Sequence, residues 1–497
     1  MLVLKAIQPT FLKRDPTKQA SSLPPEAKYS MAVGTTIEIT AFVLAANQHI
    51  QVTLKQALNG FVTWFAFSSH VQVIEQVTDP LEVARDRQKM FNNFLAIEVQ
   101  QGANQDRLVF LDRGIKGSWI ETQISAYPDR LRQAPDGRTV VSLGEKLPLS
   151  GSGQTVTFNP YPKVGVIPTI DQTALNFLHA DIQEACICVG SYVNGQMRSR
   201  WLGRNALTKG QFWSSTKIVP ILNIVSQANA KSVTTQIKNC VISDSQGKVN
   251  NLDFTEAAID IISYRKDDIA NDILISNQLS DTLKRFSSLA NLETWFETIT
   301  GNKSLEFRGY YSGKPLIAEP ILQTGTTVLL RSQTAGTVGE NLVSAYDLTR
   351  IASMLGWHFH IPTEAKLPAA QWHSLETVVR AMGYDSARYV DVAIQTLGLD
   401  TRISAPVILS KLGFGPSQLR QRTELCYTAV VQLIDDRPKA NGQPAKLRTI
   451  ALTLRAAIQK LNSSGSRDLD EEARWLDARM AAEVTEILRR IITEELA

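Results

Sequence analysis

Residues Phe212 to Leu222 read FWSSTKIVPIL. Ser214 and Lys217 stand three residues apart, behind an aromatic pair and ahead of an apolar run. The stretch has two readings: a helix cap beside a solvated lysine, or a nucleophile with its base on the first turn of a buried helix. Ser-x-x-Lys recurs at Ser245/Lys248 and Ser263/Lys266. DSQGK around Ser245 is a polar turn, and SYRKDD around Ser263 is a solvated, charged stretch. Only Ser214 follows a β-hairpin pattern and opens an apolar helix. Two residues three apart at a helix start share a face, so the amine reaches the hydroxyl. Helix N-terminal N–H groups suit a developing oxyanion. A lysine buried against IVPIL loses basicity and becomes a general base. Pro220 is accepted only near a helix start, so the helix opens at about 214.

Upstream, CICVGSYVNGQMRSRWLGR is a strand, an Asn194-Gly195 turn and a second strand; Asn-Gly between apolar runs is a strong hairpin signal. Before it, IDQTALNFLHADIQEA predicts an amphipathic helix, with Ile170, Leu175, Leu178 and Ile182 on one stripe and Asp171 as its cap. Residues 255–300 and 342–400 read as mainly helical. APVILSKLGFG and RTELCYTAVVQLID read as adjacent strands, and RTIALTLRAAIQKLN as a further strand or helix. Strands therefore flank a helical middle. The expected fold is a multidomain one. Its main part is α/β (α+β) in two or three layers, with an antiparallel sheet and an inserted helical cluster. Lys411 falls on the edge strand, and Ser214 at the floor of a cleft between sheet and helices.

Four segments are expected. Residues 1–75, with TTIEITAFV, HIQVTL, VTWFAF and HVQVIE between turn-prone stretches, predict a small all-β barrel. Residues 76–168 form a connecting mixed α/β region and linker, helical over LEVARDRQKMFNNFLAIEVQQ, with strands at RLVFLD and RTVVSL. Residues 169–462 form the main domain. Residues 463–497 form a C-terminal amphipathic helix for packing or oligomerisation.

At 497 residues the chain exceeds one ordinary core. Its hydrophobic fraction of 43% and charged fraction of 20% are globular values. A net charge of +4 without a basic tract excludes a nucleic-acid partner. The four cysteines form no C-x-x-C pair and read as core residues, and the six histidines show no ligand spacing. No metal is expected. MLVLKAIQPTFLKRDP lacks the pattern of a signal peptide. No apolar run reaches the roughly 20 residues of a membrane span.

The motifs that follow Ser214-x-x-Lys217 carry a resemblance. Ser276-Asn277-Gln278 stands where S-D-N belongs, Glu319-Pro320-Ile321-Leu322-Gln323 approximates E-P-x-L-N, and Lys411-Leu412-Gly413 approximates K-T-G. In this order the chain resembles, over roughly 165–460, the penicillin-binding serine hydrolases: class A β-lactamases and D-alanyl-D-alanine peptidases. NLVSAYDLTRIASMLG looks like the helix after that family's glutamate loop. The resemblance implies an acyl-enzyme mechanism without metal or organic cofactor. Ser214 is then the nucleophile, Lys217 its base, Ser276 a proton relay and Glu319 the group orienting a deacylating water. Lys411, Gly413, Asn277 and Gln323 bind substrate. The implied substrate is a β-lactam or a D-alanyl peptide of peptidoglycan, which implies a periplasmic setting. Residues 1–75 resemble bacterial Src-homology-type modules, implying a wall or glycan anchor. Leu412 departs from the pattern, because it lacks the hydroxyl that the family uses on the substrate carboxylate. Two alternatives follow: a catalytically inactive binding or scaffold protein of this fold, or an esterase, whose substrate lacks that carboxylate.

Overall fold

Asn194 and Gly195 both take positive φ, 54° and 77°, as the two-residue turn that matches strand twist requires. The hairpin forms where the sequence places it, as Ile182–Val193 and Gln196–Arg204. The structure is a computed structural model that describes residues 2–75, 79–246, 251–263 and 269–497. Lys248 and Lys266 of the two other Ser-x-x-Lys pairs lie outside the described residues. The chain divides into two units, Met1–Val83 and Ala84–Ala497.

The first unit holds seven strands: β1 Leu2–Ala6, β2 Thr10–Lys13, β3 Lys28–Met31, β4 Thr36–Ala45, β5 His49–Leu58, β6 Phe61–Phe67 and β7 Val71–Glu75. They form one antiparallel sheet in the order β3-β2-β6-β5-β4-β1-β7. Alternating residues of its strands, among them Leu4, Leu12, Val52 and Trp64, make its core. The expected barrel is not closed among the described residues. β3 and β7 end the ladder on opposite sides, and β2 meets β6 at a single register position, Lys13 with Phe65.

In the second unit the long strands are β8 Ile182–Val193, β9 Gln196–Arg204, β10 Ile403–Ser417, β11 Arg422–Asp435 and β12 Ala445–Ile458. Their order is β9-β8-β12-β11-β10, all antiparallel, with short strands added beside β9 and β12. The sheet is thus built from both ends of the domain, and β10 is its edge. These strands read as near-continuous apolar runs because both faces are covered. On one face Cys186, Cys188, Cys426 and Val430 share a core with Ile351 and Leu355 of the helix Ala345–Gly356. On the other, Tyr427 packs edge-on against Tyr389 at 5.0 Å, and the Tyr389 hydroxyl donates to Asp477 of the C-terminal helix Leu469–Ile492 at 2.5 Å. The architecture is three-layered α/β.

Several segments differ from expectation. The stretch 170–185 is not a helix. Asp171 does cap, accepting from the Thr173 and Ala174 amides at 3.2 Å, but only a turn follows. Leu175, Leu178 and Ile182 are buried as expected. Sheet pairing begins at Ile182 and claims the second half of the segment. RLVFLD is no strand either. Leu108, Phe110 and Leu111 are buried, and the Phe110 amide donates to Asp477 rather than to a ladder. Residues 84–168 and the C-terminal helix belong to the same unit as the sheet. The helix Arg87–Gln100, capped by Asp86, packs on Leu469–Ile492, which in turn lies on the sheet, so the two ends of the unit meet on one side of it. Among the described residues no helix is long and apolar enough to cross a membrane.

Candidate active site

Trp213 to Lys217 form a 3₁₀ turn that runs into the buried α-helix Ile218–Lys231. In a 3₁₀ turn residues three apart eclipse one another, so Ser214 and Lys217 lie along one line. Pro220 sits in the first turn of the α-helix, where its missing N–H costs nothing. Neither helix start shows a side-chain cap bond, so Ser214 does not serve as a cap. Lys217 is not a surface lysine: only 1% of it is exposed. Both halves of the blander reading of FWSSTKIVPIL therefore fail.

The Lys217 Nζ donates to Ser276 Oγ at 2.9 Å, and that hydroxyl donates to the Ile261 carbonyl at 2.9 Å. The Tyr311 ring lies 5.4 Å from the Lys217 Nζ, and its hydroxyl bonds Thr216 Oγ1 at 2.7 Å. Burial first, then the nearby Lys411 charge, hold Lys217 well below the ordinary lysine range; Asp281 opposes them. Asp281 also gathers the Tyr311, Ser312 and Gly313 amides and the Ser312 hydroxyl at 2.8–3.0 Å, which fixes the Tyr311 loop.

The edge strand β10 closes against this turn. Ser215 Oγ donates to the Lys411 carbonyl at 3.2 Å. A Cβ at Gly413 would lie 2.5 Å from the Phe212 carbonyl oxygen and 2.9 Å from the Ser215 amide. Gly413 thus permits backbone contact between strand and turn. We expect Gly413→Ala to destabilise the unit by about 1–3 kcal/mol and to displace the Ser214 turn. Thermal unfolding and the rate of covalent labelling at Ser214 check this; an unchanged labelling rate would refute the packing argument. Lys411 is fully buried, donates to the Ile262 carbonyl at 3.0 Å, and is pushed down to about 8 by burial against the pull of Asp385.

Ser214 opens onto a cavity of about 320 Å³. Trp213, Ile273, Tyr310, Tyr311, Phe414 and Pro416 supply its apolar lining, and Gln211, Asn277 and Asn341 its amides. Trp213 takes a positive φ of 49°, a strained conformation immediately before Ser214. Its indole is held by Glu424 at 2.9 Å and packs over Gly415. Of the residues singled out in the sequence, Ser214 and Asn277 line the cavity, while Lys217 with Ser276, and Lys411 and Gly413 of the edge strand, are packed around the Ser214 turn without lining it.

Glu319 and Gln323 do not join them. Glu319 is exposed and accepts from Ser245 Oγ at 3.0 Å and Gln246 Nε2 at 3.3 Å. Gln323 donates to Ser243 Oγ at 3.2 Å. The reason is local: Pro320–Thr324 is a strand, paired with Val241–Asp244, so the segment is held in a ladder rather than looped toward Ser214.

The sequence reading missed Trp213, Tyr311, Asp281, Asn341 and Lys284. One signal was present. Ser276, Ser280 and Lys284 recur every fourth residue in the helix Ile269–Lys284, and all are buried. Lys284 donates to the Gly309 carbonyl at 2.5 Å and to Asn341 Oδ1 at 2.9 Å, and burial pushes it down to about 7. Because its ordinary value is 10.5, the unfolded chain holds a proton that the folded one lacks between pH 7 and 10.5. Stability from this group rises with pH across that window, at up to about 1.4 kcal/mol per unit. Chemical denaturation of Lys284→Met and wild type across this range should show that slope in their difference; a flat difference would contradict the assignment.

Fold and site together define a three-layer α/β unit with a serine and a buried lysine heading a core helix beside an antiparallel edge strand. No protein-family profile matches the chain, and no curated protein matches it. Among solved structures the chain is similar to a β-lactamase from Desulfarculus baarsii, at 13% identity and a TM-score of 0.32, over 62% of this chain and 92% of that one. It is also similar to a peptidoglycan synthetase from Bifidobacterium adolescentis, at 11% identity and a TM-score of 0.24, over 64% of this chain and 58% of that one.

Proposed function

We propose that the unit Ala84–Ala497 is a serine acyl-transfer hydrolase of the penicillin-recognising type, acting through an acyl-enzyme on a β-lactam, a D-alanyl peptide or a related ester. The observation that carries this reading is the buried Lys217. It stands one 3₁₀ turn from the cavity-lining Ser214, is bonded to Ser276, and is held below the ordinary lysine range. Neutral Lys217 takes the Ser214 proton as the hydroxyl attacks a carbonyl. The Ser214 amide and an amide just past Lys411-Leu412-Gly413 receive the oxyanion. Ser276 passes a proton to the leaving group, a step that requires its hydroxyl to leave the Ile261 carbonyl. Asn277 and the edge strand hold the substrate, and Lys411 lends positive charge from behind. The first unit then serves as a wall or glycan anchor.

Intact-mass spectrometry after incubation with a penicillin and, separately, with a fluorophosphonate tests this. Adducts from both support the penicillin-type reading. A fluorophosphonate adduct alone supports the ester variant, which the Leu412 side chain in place of a hydroxyl favours. Folded protein without either adduct would overturn the reading in favour of an inactive binding protein.

A further inference from the structure

Arg448 of β12 is 4% exposed and lines a cavity of about 470 Å³. All of its polar contacts fall on one nitrogen. Nη2 donates to Asp435 Oδ2 at 3.4 Å and to the Ile492 carbonyl at 3.5 Å, and lies 2.9 Å from Glu494 Oε1. Among the described residues Nε and Nη1 have no partner, although both are buried. A guanidinium only donates, so these two nitrogens leave N–H groups that call for an acceptor. Burying such groups unpaired is costly, and the chain supplies no acceptor to relieve it.

The charges around Arg448 point the same way. Arg437, Lys446 and Arg448 line the cavity against Asp435 and Glu494, a net charge of +1. Each carboxylate already has a cation of its own. Arg437 clamps Asp435 through Nε and Nη2 at 2.8 Å, and Lys446 reaches Glu494 at 2.5 Å. The charge of Arg448 is what remains. A monoanion balances it, whereas a phosphate dianion overshoots beside two carboxylates. Val141, Pro438 and Pro444 give the cavity apolar wall, which suits an organic body on that anion.

This cavity is remote from Ser214. Gly413, which touches the Ser214 turn, pairs with Cys426, and Cys426 pairs with Arg455. Arg448 precedes Arg455 by seven residues on β12, roughly 23 Å at the rise of a strand. We propose that the cavity is a second ligand site, which takes the carboxylate of a small organic monoanion on the free guanidinium N–H groups of Arg448.

Equilibrium dialysis of the full chain against radiolabelled benzoate tests this, with unlabelled benzamide and inorganic phosphate as competitors at about pH 8, where phosphate is mostly a dianion. Benzoate should bind, and benzamide, which lacks the charge, should displace it at least about 10-fold less well than unlabelled benzoate does. Phosphate should also displace it less well. Arg448→Lys keeps a positive charge and removes the free Nε and Nη1 donors, and should weaken benzoate by about 10-fold or more. Asn441→Asp changes an exposed residue of the cavity wall, brings the lining to zero net charge, and should weaken benzoate by about 3-fold or more. If Arg448→Lys fails to fold, Asn441→Asp decides. An affinity for benzoate weaker than about 10 mM would overturn the inference. So would wild-type affinity in the folded variants, which would place benzoate elsewhere, or displacement by benzamide or phosphate as strong as by benzoate itself.

Discussion

Ser214→Ala is expected to abolish covalent labelling by a fluorophosphonate or a penicillin and to lower hydrolysis by at least about 10⁴-fold, the scale on which loss of a serine nucleophile acts. The substitution removes one oxygen from a residue without a cap bond, so the 3₁₀ turn should persist and folding should be unaffected. Two other serines stand close and provide an internal comparison. Ser215 is buried and bonded to the Lys411 carbonyl, and Ser276 is buried between Lys217 and the Ile261 carbonyl. Neither lines the cavity. Peptide mapping of the adduct should therefore return Ser214 alone. An adduct that survives in Ser214→Ala and maps to either neighbour would reassign the nucleophile.

The second large effect is expected at Lys217. Lys217→Met should keep the apolar volume of the buried stem and slow acylation by about 10³-fold, within the range of a lost general base. A base must be neutral to act, so the acylation rate should rise with pH through the folded pKa of Lys217. Burial and the Lys411 charge place that limb below the ordinary lysine range. Lys411 contributes by repulsion. Lys411→Met removes it, stabilises protonated Lys217, and should move the acid limb to higher pH. Stopped-flow acylation across pH on wild type and both variants measures this. Wild-type acylation in Lys217→Met, or an acid limb that moves to lower pH in Lys411→Met, would contradict Lys217 as the base.

Much of the site was readable in one dimension because its parts are short and local. Ser-x-x-Lys before an apolar run needs only the pitch of one turn to bring its residues into line. Lys411-Leu412-Gly413 sits in a strand whose apolar continuity announces a buried sheet. Glu319 shows where local pattern fails. A five-residue resemblance specified no partner, and pairing with Val241–Asp244 decided the conformation. The same competition undid the predicted helix after Asp171, where β8 pairs from Ile182 onward.

By itself the sequence determined the elements whose signals lie within a few residues: the Asn194-Gly195 hairpin, the strands at APVILSKLGFG and RTELCYTAVVQLID, the C-terminal helix, and the serine and lysine at the head of Ile218–Lys231; RTIALTLRAAIQKLN read equally as strand or helix until the sheet claimed it. Only the tertiary structure decided what surrounds them. The open β-sheet of the first unit depends on which strands meet at its ends. The membership of residues 84–168 depends on the packing of Arg87–Gln100 against Leu469–Ile492. The cavity depends on Gln211, Asn277, Tyr311, Asn341 and Phe414, drawn from segments up to some two hundred positions apart. Periodicity records which face of an element is apolar, because burial is set residue by residue. It does not record which other element covers that face, because that follows from the summed packing of the whole unit.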